Sequence, residues 1–561
     1  MRVIKKFLGF ISREETLVFI LSFTLILISI FPTVSFYLNT PRGHVYSFLH
    51  NSVSDYPYYL SFIRQGTLGR ITTIDQFTTE PQKEGIIHIF YLWLGLGGGF
   101  LSLPPALIYF IARIILGFIF IFTAYVFISF FLRKKWQRIL AYIFFTTSAS
   151  FPNFVSNAGH TEIWPFMYWW TEIDPLRRAT FIPHFLVGHI GLTVGLLLLI
   201  LLYRTGKLRF LLLAIVIGLI TGISHPPSLV MIYYLVAIFL FFRLSISLFK
   251  RIYTVGRKKD INLVSDIVLS GVFIFLTMPS LYYIYKTTEN IFPWTLMKAQ
   301  ESIFYAISVS EYLFSIGPVL LLGVAGFFLL RKVEQSLLVI WVLWDIVMIP
   351  LSKLIAFTPL PFRIPTLANI RFLSMNVHLP LAICAVFFLD YIRKRFGKSL
   401  FSFLVISYLI LTFIMYPESL DSQLHEFTGL RQFVYPSEDL VSAYKFLGDH
   451  DTGGAVISNP DSSLLLPVFA KNSVYAGQSI YTNENGTKEK QLLSMLQGKM
   501  KECTAYKLLV GGGISYILTT DSSEEKRIIN YHLTGSVFKS GSVNVFRFEP
   551  QTVDEKLICK S

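Results

Sequence analysis

The most constraining feature of this sequence is a series of apolar runs, each near the twenty residues needed to span a bilayer, that begins close to the N-terminus and stops near residue 416. A soluble core cannot absorb that much apolar surface. The chain has 561 residues, of which 53% are hydrophobic and only 15% charged, with a mean hydropathy of +0.58. Spans are expected at about 16–38, 105–132, 139–152, 183–203, 209–224, 226–247, 263–285, 312–330, 337–353, 376–392 and 399–416. The expected fold is a polytopic α-helical membrane protein with about eleven transmembrane helices. A small α/β domain follows, giving a transmembrane domain over 1–436 and an extracytoplasmic domain over 437–561.

Charge supports this division. The formal net charge is +15, yet residues 437 to 561 hold 13 Lys/Arg and 14 Asp/Glu, so all of the excess lies in the first part. It sits in short loops: Arg133-Lys134-Lys135 with Arg138, Arg204 to Arg209, Lys250 to Lys259, Arg331-Lys332 and Arg393 to Lys398. That is the positive-inside pattern of a multi-pass protein, and the excess is read as that rather than as a nucleic-acid-binding surface. With these loops cytoplasmic, eleven crossings put the N-terminus inside and the tail outside. The segment Ile86 to Leu103 breaks the parity if it crosses, and its Gly97-Gly98-Gly99 weakens a helix, so it is read as interfacial or re-entrant.

The first outer loop is far longer than a connection between helices requires. Within it, Asp55 is flanked by Tyr56, Tyr58 and Tyr59, and Leu60, Phe62 and Ile63 continue an amphipathic helix able to lie in the membrane interface. A carboxylate there suits a general base or a metal ligand; a helix cap with an aromatic belt accounts for the same residues. The second outer loop concentrates His160, Glu162, Glu172, Asp174, Arg177, Arg178 and His184 among aromatic residues. Glu162 or Glu172 could supply a second carboxylate for a divalent metal such as Mg or Mn, or could serve in capping and in salt bridges to Arg177 and Arg178. Arg363 and Arg371 are placed to bind an anionic phosphate, and His184 and His225 each adjoin a proline at a span end. Arg113 and Asp345 fall inside spans, where an ionisable group normally faces a partner or a polar cavity.

The chain resembles the GT-C superfamily of membrane glycosyltransferases. The resemblance rests on Asp55 in SDYPYYLSFIRQG, on FYLWLGLG followed by a span carrying Arg113, on Pro183-His184 and His225-Pro226, and on Arg371-Phe372 before a span with Pro380. It implies transfer of a sugar from a polyprenyl-phosphate donor, with Asp55 as the catalytic base and inversion at the anomeric carbon. The Trp-Trp-Asp motif of oligosaccharyltransferases is missing. A transporter or flippase of lipid-linked sugars, or a non-catalytic assembly protein, is the alternative.

In the tail, EDLVSAYKFLGDH and KQLLSMLQGKM read as helices, GAVISN, SSLLLPVFA, NSVYAG and ISYILTT as apolar runs between turns, and VFKSGSVNVFRF as a hairpin. Cys503 and Cys559 lie in the tail and Cys384 in a span; the sequence leaves open whether the tail pair is bonded.

Overall fold

The computed structural model describes residues 13–157, 160–166, 173–253, 261–297, 307–357, 367–450, 453–550 and 559. Among the described residues seven helices are long and apolar enough to cross a membrane: Glu14–Leu38, Pro105–Phe131, Pro183–Thr205, Pro226–Phe249, Leu263–Asn290, Val333–Ile355 and Lys398–His425. An eighth span is counted if the helices Val309–Ile316 and Pro318–Phe327, bent by 92° to each other, are taken as one. The bend falls on Gly317, whose φ is +79° and where a Cβ would lie 1.8 Å from the Ala149 carbonyl oxygen. Only glycine permits both the left-handed backbone and that approach.

Three further expected spans are helices outside those seven. The 139–152 run is a 13-residue helix, Lys135–Thr147, followed by a hairpin of β1 (Pro152–Asn157) and β2 (His160–Pro165). Thirteen residues rise only about 20 Å, less than a bilayer's hydrocarbon core. The 209–224 run is the 17-residue helix Leu208–Ser224, and the 376–392 run is His378–Arg395, whose last turn carries Arg393, Lys394 and Arg395. The segment read as interfacial contains the short apolar helix Ile89–Phe100.

The chain divides into two compact units. The first comprises residues 1–32, 113–283 and 301–425; the second comprises 33–112, 284–300 and 426–561. Small residues set the helix packing of the first. Gly323 and Gly326 of Pro318–Phe327 approach Leu381 and Cys384 of His378–Arg395, a Cβ at Gly326 lying 1.9 Å from the Cys384 carbonyl oxygen.

The second unit joins the first outer loop to the tail. Its sheet has the order β3 (Ala455–Ile457), β4 (Ile514–Thr519), β6 (Val543–Phe548), β5 (Thr534–Ser540), with β3 and β4 parallel and the other pairs antiparallel. Helices Glu438–Asp449 and Asn485–Leu496 fall where expected. The Ser462–Ala470 run, read only as an apolar run between turns, forms most of the helix Pro460–Phe469, started by Pro460 and by the Asn459 side chain accepting from the Ser462 amide at 2.9 Å. Its residues Ser462 to Val468 are all buried, so no apolar period distinguishes helix from strand. Cys503 and Cys559 are bonded.

The loop docks on the tail through backbone and side chain alike. The Val45 amide donates to Pro436, the Ser47 amide to Val434 and the Val474 amide to Gln76. Gln76 Nε2 donates to the Lys471 carbonyl at 2.8 Å, Thr482 Oγ1 to that of Phe77 at 2.8 Å, and Lys488 pairs with Glu80 at 2.7 Å.

Candidate functional site

Asp55 is the first residue of the helix Asp55–Thr67. An acidic residue in the first turn complements the helix dipole, and Pro57 is tolerated there because first-turn amides have no helical partner. The N-cap is Ser54 and makes no side-chain capping bond, so Asp55 is not the cap of this helix. From Tyr56 to Ile63 every residue is buried, while Asp55 is half-buried. The helix expected to lie in the interface is therefore a core element, because aromatic residues cover its faces. Tyr58 stacks on Tyr481 with ring centroids 3.6 Å apart, Tyr59 stacks on Tyr91 at 4.6 Å, and Tyr56 meets Tyr109 edge-on at 5.0 Å. The Tyr56 hydroxyl donates to the Ser47 carbonyl at 2.9 Å. His88 lies among Tyr58, Tyr59, Phe62 and Tyr91, and burial pushes its pKa down to about 3, so the ring is neutral. A carboxylate at the accessible end of a rigid, aromatic-packed helix has the fixed position that a general base needs.

In the first unit, three of the expected residues come together from distant parts of the sequence. His184 opens Pro183–Thr205, and His225 sits in the break between Leu208–Ser224 and Pro226–Tyr253. Their rings are 5.9 Å apart, with Phe185 against both. His225 Nδ1 is 2.8 Å from Ser228 Oγ, and the positive charge of half-buried Arg371, in the 3-10 turn Asn369–Ser374, reaches it. Two imidazoles and a guanidinium supply donors and positive potential for an anionic oxygen.

Glu162, on β2, accepts a hydrogen bond from Trp164 Nε1 at 2.8 Å. Glu172 and Arg363 lie outside the described residues. Asp174 is a helix cap, its Oδ1 accepting from the Leu176 and Arg177 amides. Buried Arg178 donates to the carbonyls of Phe145, Ser148 and Ile173. Arg113 likewise donates to the Thr180 carbonyl at 2.9 Å, and the Tyr312 hydroxyl donates to Asp345. These contacts tie helices together.

Among the described residues no three His, Cys, Asp or Glu side chains converge as metal ligands. Asp55 lies in the second unit and Glu162 in the first.

Sequence reading passed over Asp75, Glu80 and Lys488. Asp75 and Glu80 stand in a polar loop and Lys488 in a polar helix, stretches whose composition resembles solvated surface, and only their docking reveals them.

No family model matches the chain and no curated protein is detectably similar to it in sequence. Solved structures are similar. The apo oligosaccharyltransferase of Archaeoglobus fulgidus superposes with a TM-score of 0.51 at 12% identity, over 89% of this chain and 69% of that one. The archaeal oligosaccharyltransferase AglB from Archaeoglobus fulgidus, in complex with an inhibitory peptide and a dolichol-phosphate, gives 0.52 at 11% identity, over 95% and 75%. ArnT from Cupriavidus metallidurans is also found, at 0.46 and 11% identity, over 94% and 98%. The fold is shared with these archaeal oligosaccharyltransferase structures. The similarity extends over most of both chains, at an identity that speaks for fold alone.

Proposed function

We propose that this chain is a membrane glycosyltransferase that moves a sugar from a polyprenyl-phosphate donor to an acceptor on the extracytoplasmic face. The observation that carries the reading is Asp55, an accessible carboxylate at the start of an otherwise buried helix, in a chain of GT-C fold. Asp55 takes the proton of the acceptor nucleophile, which attacks the anomeric carbon. The bond from that carbon to the phosphate oxygen breaks, and the lipid phosphate leaves with the electron pair. A single displacement inverts the anomeric centre. Arg371, with His184 and His225, binds the phosphate and stabilises its growing charge; Arg363, Glu162 and Glu172 complete substrate binding.

In this proposal the N-terminus is cytoplasmic and residues 437–561 form the outer domain. The Cys503–Cys559 bond supports an oxidising compartment for the tail. The likeness to a structure that holds a dolichol-phosphate supports the donor class.

The test is transfer of labelled sugar from a panel of polyprenyl-phosphate sugars by the purified chain in lipid, for wild type and Asp55→Asn, with and without EDTA. Loss of a general base costs roughly a hundred- to ten-thousandfold in rate. Full transfer by Asp55→Asn refutes the base. Donor bound and translocated without transfer by wild type favours a flippase.

A further inference from the structure

The first unit brings two basic loops that are about 250 residues apart in sequence onto one patch. One follows Pro105–Phe131 and carries Arg133, Lys134 and Lys135; the other joins His378–Arg395 to Lys398–Phe413 and carries Arg393, Lys394, Arg395 and Lys398. Asp390 binds them together, pairing with Lys394 on its own helix and with Lys134 Nζ at 3.7 Å. Trp136 makes a second joint, with the Arg393 guanidinium 4.6 Å over its ring and Phe401 edge-on at 5.7 Å. Lys134 and Lys394 flank this one bridging carboxylate, and Arg133, Lys135, Arg393, Arg395 and Lys398 extend the positive charge along the two loops, while Arg138 of the first loop pairs with Glu14. Arg133, Lys135, Arg395 and Lys398 are exposed and make no ion pair among the described residues.

Such a concentration of positive charge on two loops should repel and splay unless an anion sits with it. The surroundings specify what kind of anion. Phe396 is 57% exposed and Phe403 64% exposed on the same loop and the helix that leaves it, and Tyr391 and Leu400 are exposed beside them. The loops also cap helices of membrane-spanning length and apolarity, Pro105–Phe131 and Lys398–His425. A free phosphate would use the charges and leave the aromatic rim without a partner. An amphiphile uses both.

We infer that this patch binds the headgroup of an anionic phospholipid, the basic side chains holding its phosphate and Phe396 and Phe403 lying along its acyl chains. The site is separate from the residues assigned to sugar transfer and does not depend on that assignment. Because the Asp390 and Trp136 contacts hold both loops in place, the site is built by packing rather than by one flexible run of charge.

The full-length chain is purified, stripped of native lipid and titrated with phosphatidylglycerol or phosphatidylcholine, and bound lipid is counted by native mass spectrometry. Wild type is expected to retain phosphatidylglycerol selectively, and less of it as salt rises. Arg395→Gln with Lys398→Gln should bind it roughly thirtyfold more weakly, as expected for two interfacial charges. Arg395→Lys with Lys398→Arg should retain it, which separates lost charge from lost folding. Lys207→Gln with Arg209→Gln, which removes two charges from another basic loop, should leave retention as in wild type. Unchanged retention in the first variant overturns the inference. So does equal loss in the Lys207/Arg209 variant, or complete displacement by inorganic phosphate, which would mark a simple anion site.

Discussion

Asp75 lies within the contact between the first outer loop and the tail, and its carboxyl group should make that contact sensitive to pH. The residue is 1% exposed. Its Oδ1 accepts from the Phe77 amide at 2.8 Å, while Oδ2 has no partner among the described residues. Gln82 clamps its backbone, accepting from the Asp75 amide and donating to its carbonyl. Burial, reinforced by the negative charge of Glu80 and opposed by the Phe77 amide and Lys488, raises its pKa from 3.8 to about 8. Below about pH 3.8 both folded and unfolded chains carry the proton, and the associated stability is fully present. As pH rises from there to about 8 the unfolded chain ionises while the folded one does not, so stability is lost by about 1.4 kcal/mol per unit. Four units set a ceiling of roughly 5 to 6 kcal/mol, which water penetration would reduce to a few. Asn at this position keeps the bond from Phe77 and does not titrate. Hydrogen exchange in segments 73–88 and 470–488, corrected for intrinsic rates, should show wild-type protection falling between pH 5 and 8.5. Asp75→Asn should lack that component and be the better protected at pH 8.5. Parallel pH profiles for the two proteins would refute the assignment of a neutral buried acid.

Glu80 should act in the opposite sense. Burial would raise its pKa, but the Lys488 ammonium and the Thr78 hydroxyl hold it down at about 2, so its contribution is present above about pH 4.5 and lost as pH falls towards 2; Glu80→Gln should flatten the acid limb of the same exchange profile. Gly66→Ala should destabilise the second unit by about 3 kcal/mol or more, since its Cβ would lie 2.2 Å from the Leu92 carbonyl oxygen on the neighbouring helix; equal thermal midpoints would contradict that packing. Cys503→Ser, or reduction of the wild type, should cost about 4 kcal/mol by the loop-closure entropy of a 56-residue separation, read as a lower denaturation midpoint of the tail. Arg371→Gln should weaken donor binding more than it slows transfer of bound donor, which a KM-against-kcat comparison resolves.

Asp55 could be found from its neighbours in sequence, because a polar, aromatic-flanked stretch in an overlong loop contrasts with the apolar runs around it. Its helix could not be placed correctly. Alternating aromatic and apolar residues at 56–63 fit a helix lying on a membrane as well as one buried all round, and only contacts to Tyr91, Tyr109 and Tyr481 decide between them. The meeting of His184, His225 and Arg371 was equally hidden, since each adjoins a different helix end.

The sequence by itself determined the class of the molecule and most elements of its tail. Long apolar runs and the sign of the short loops are local properties that water and lipid read one segment at a time. Tertiary structure alone decided that the loop at 44–88 docks on the tail, that Ser462–Phe469 is helical, and that Asp75 is buried beside the Glu80–Lys488 pair. Those outcomes depend on which surfaces meet across hundreds of residues, and burial at such a meeting leaves no periodic trace in the chain.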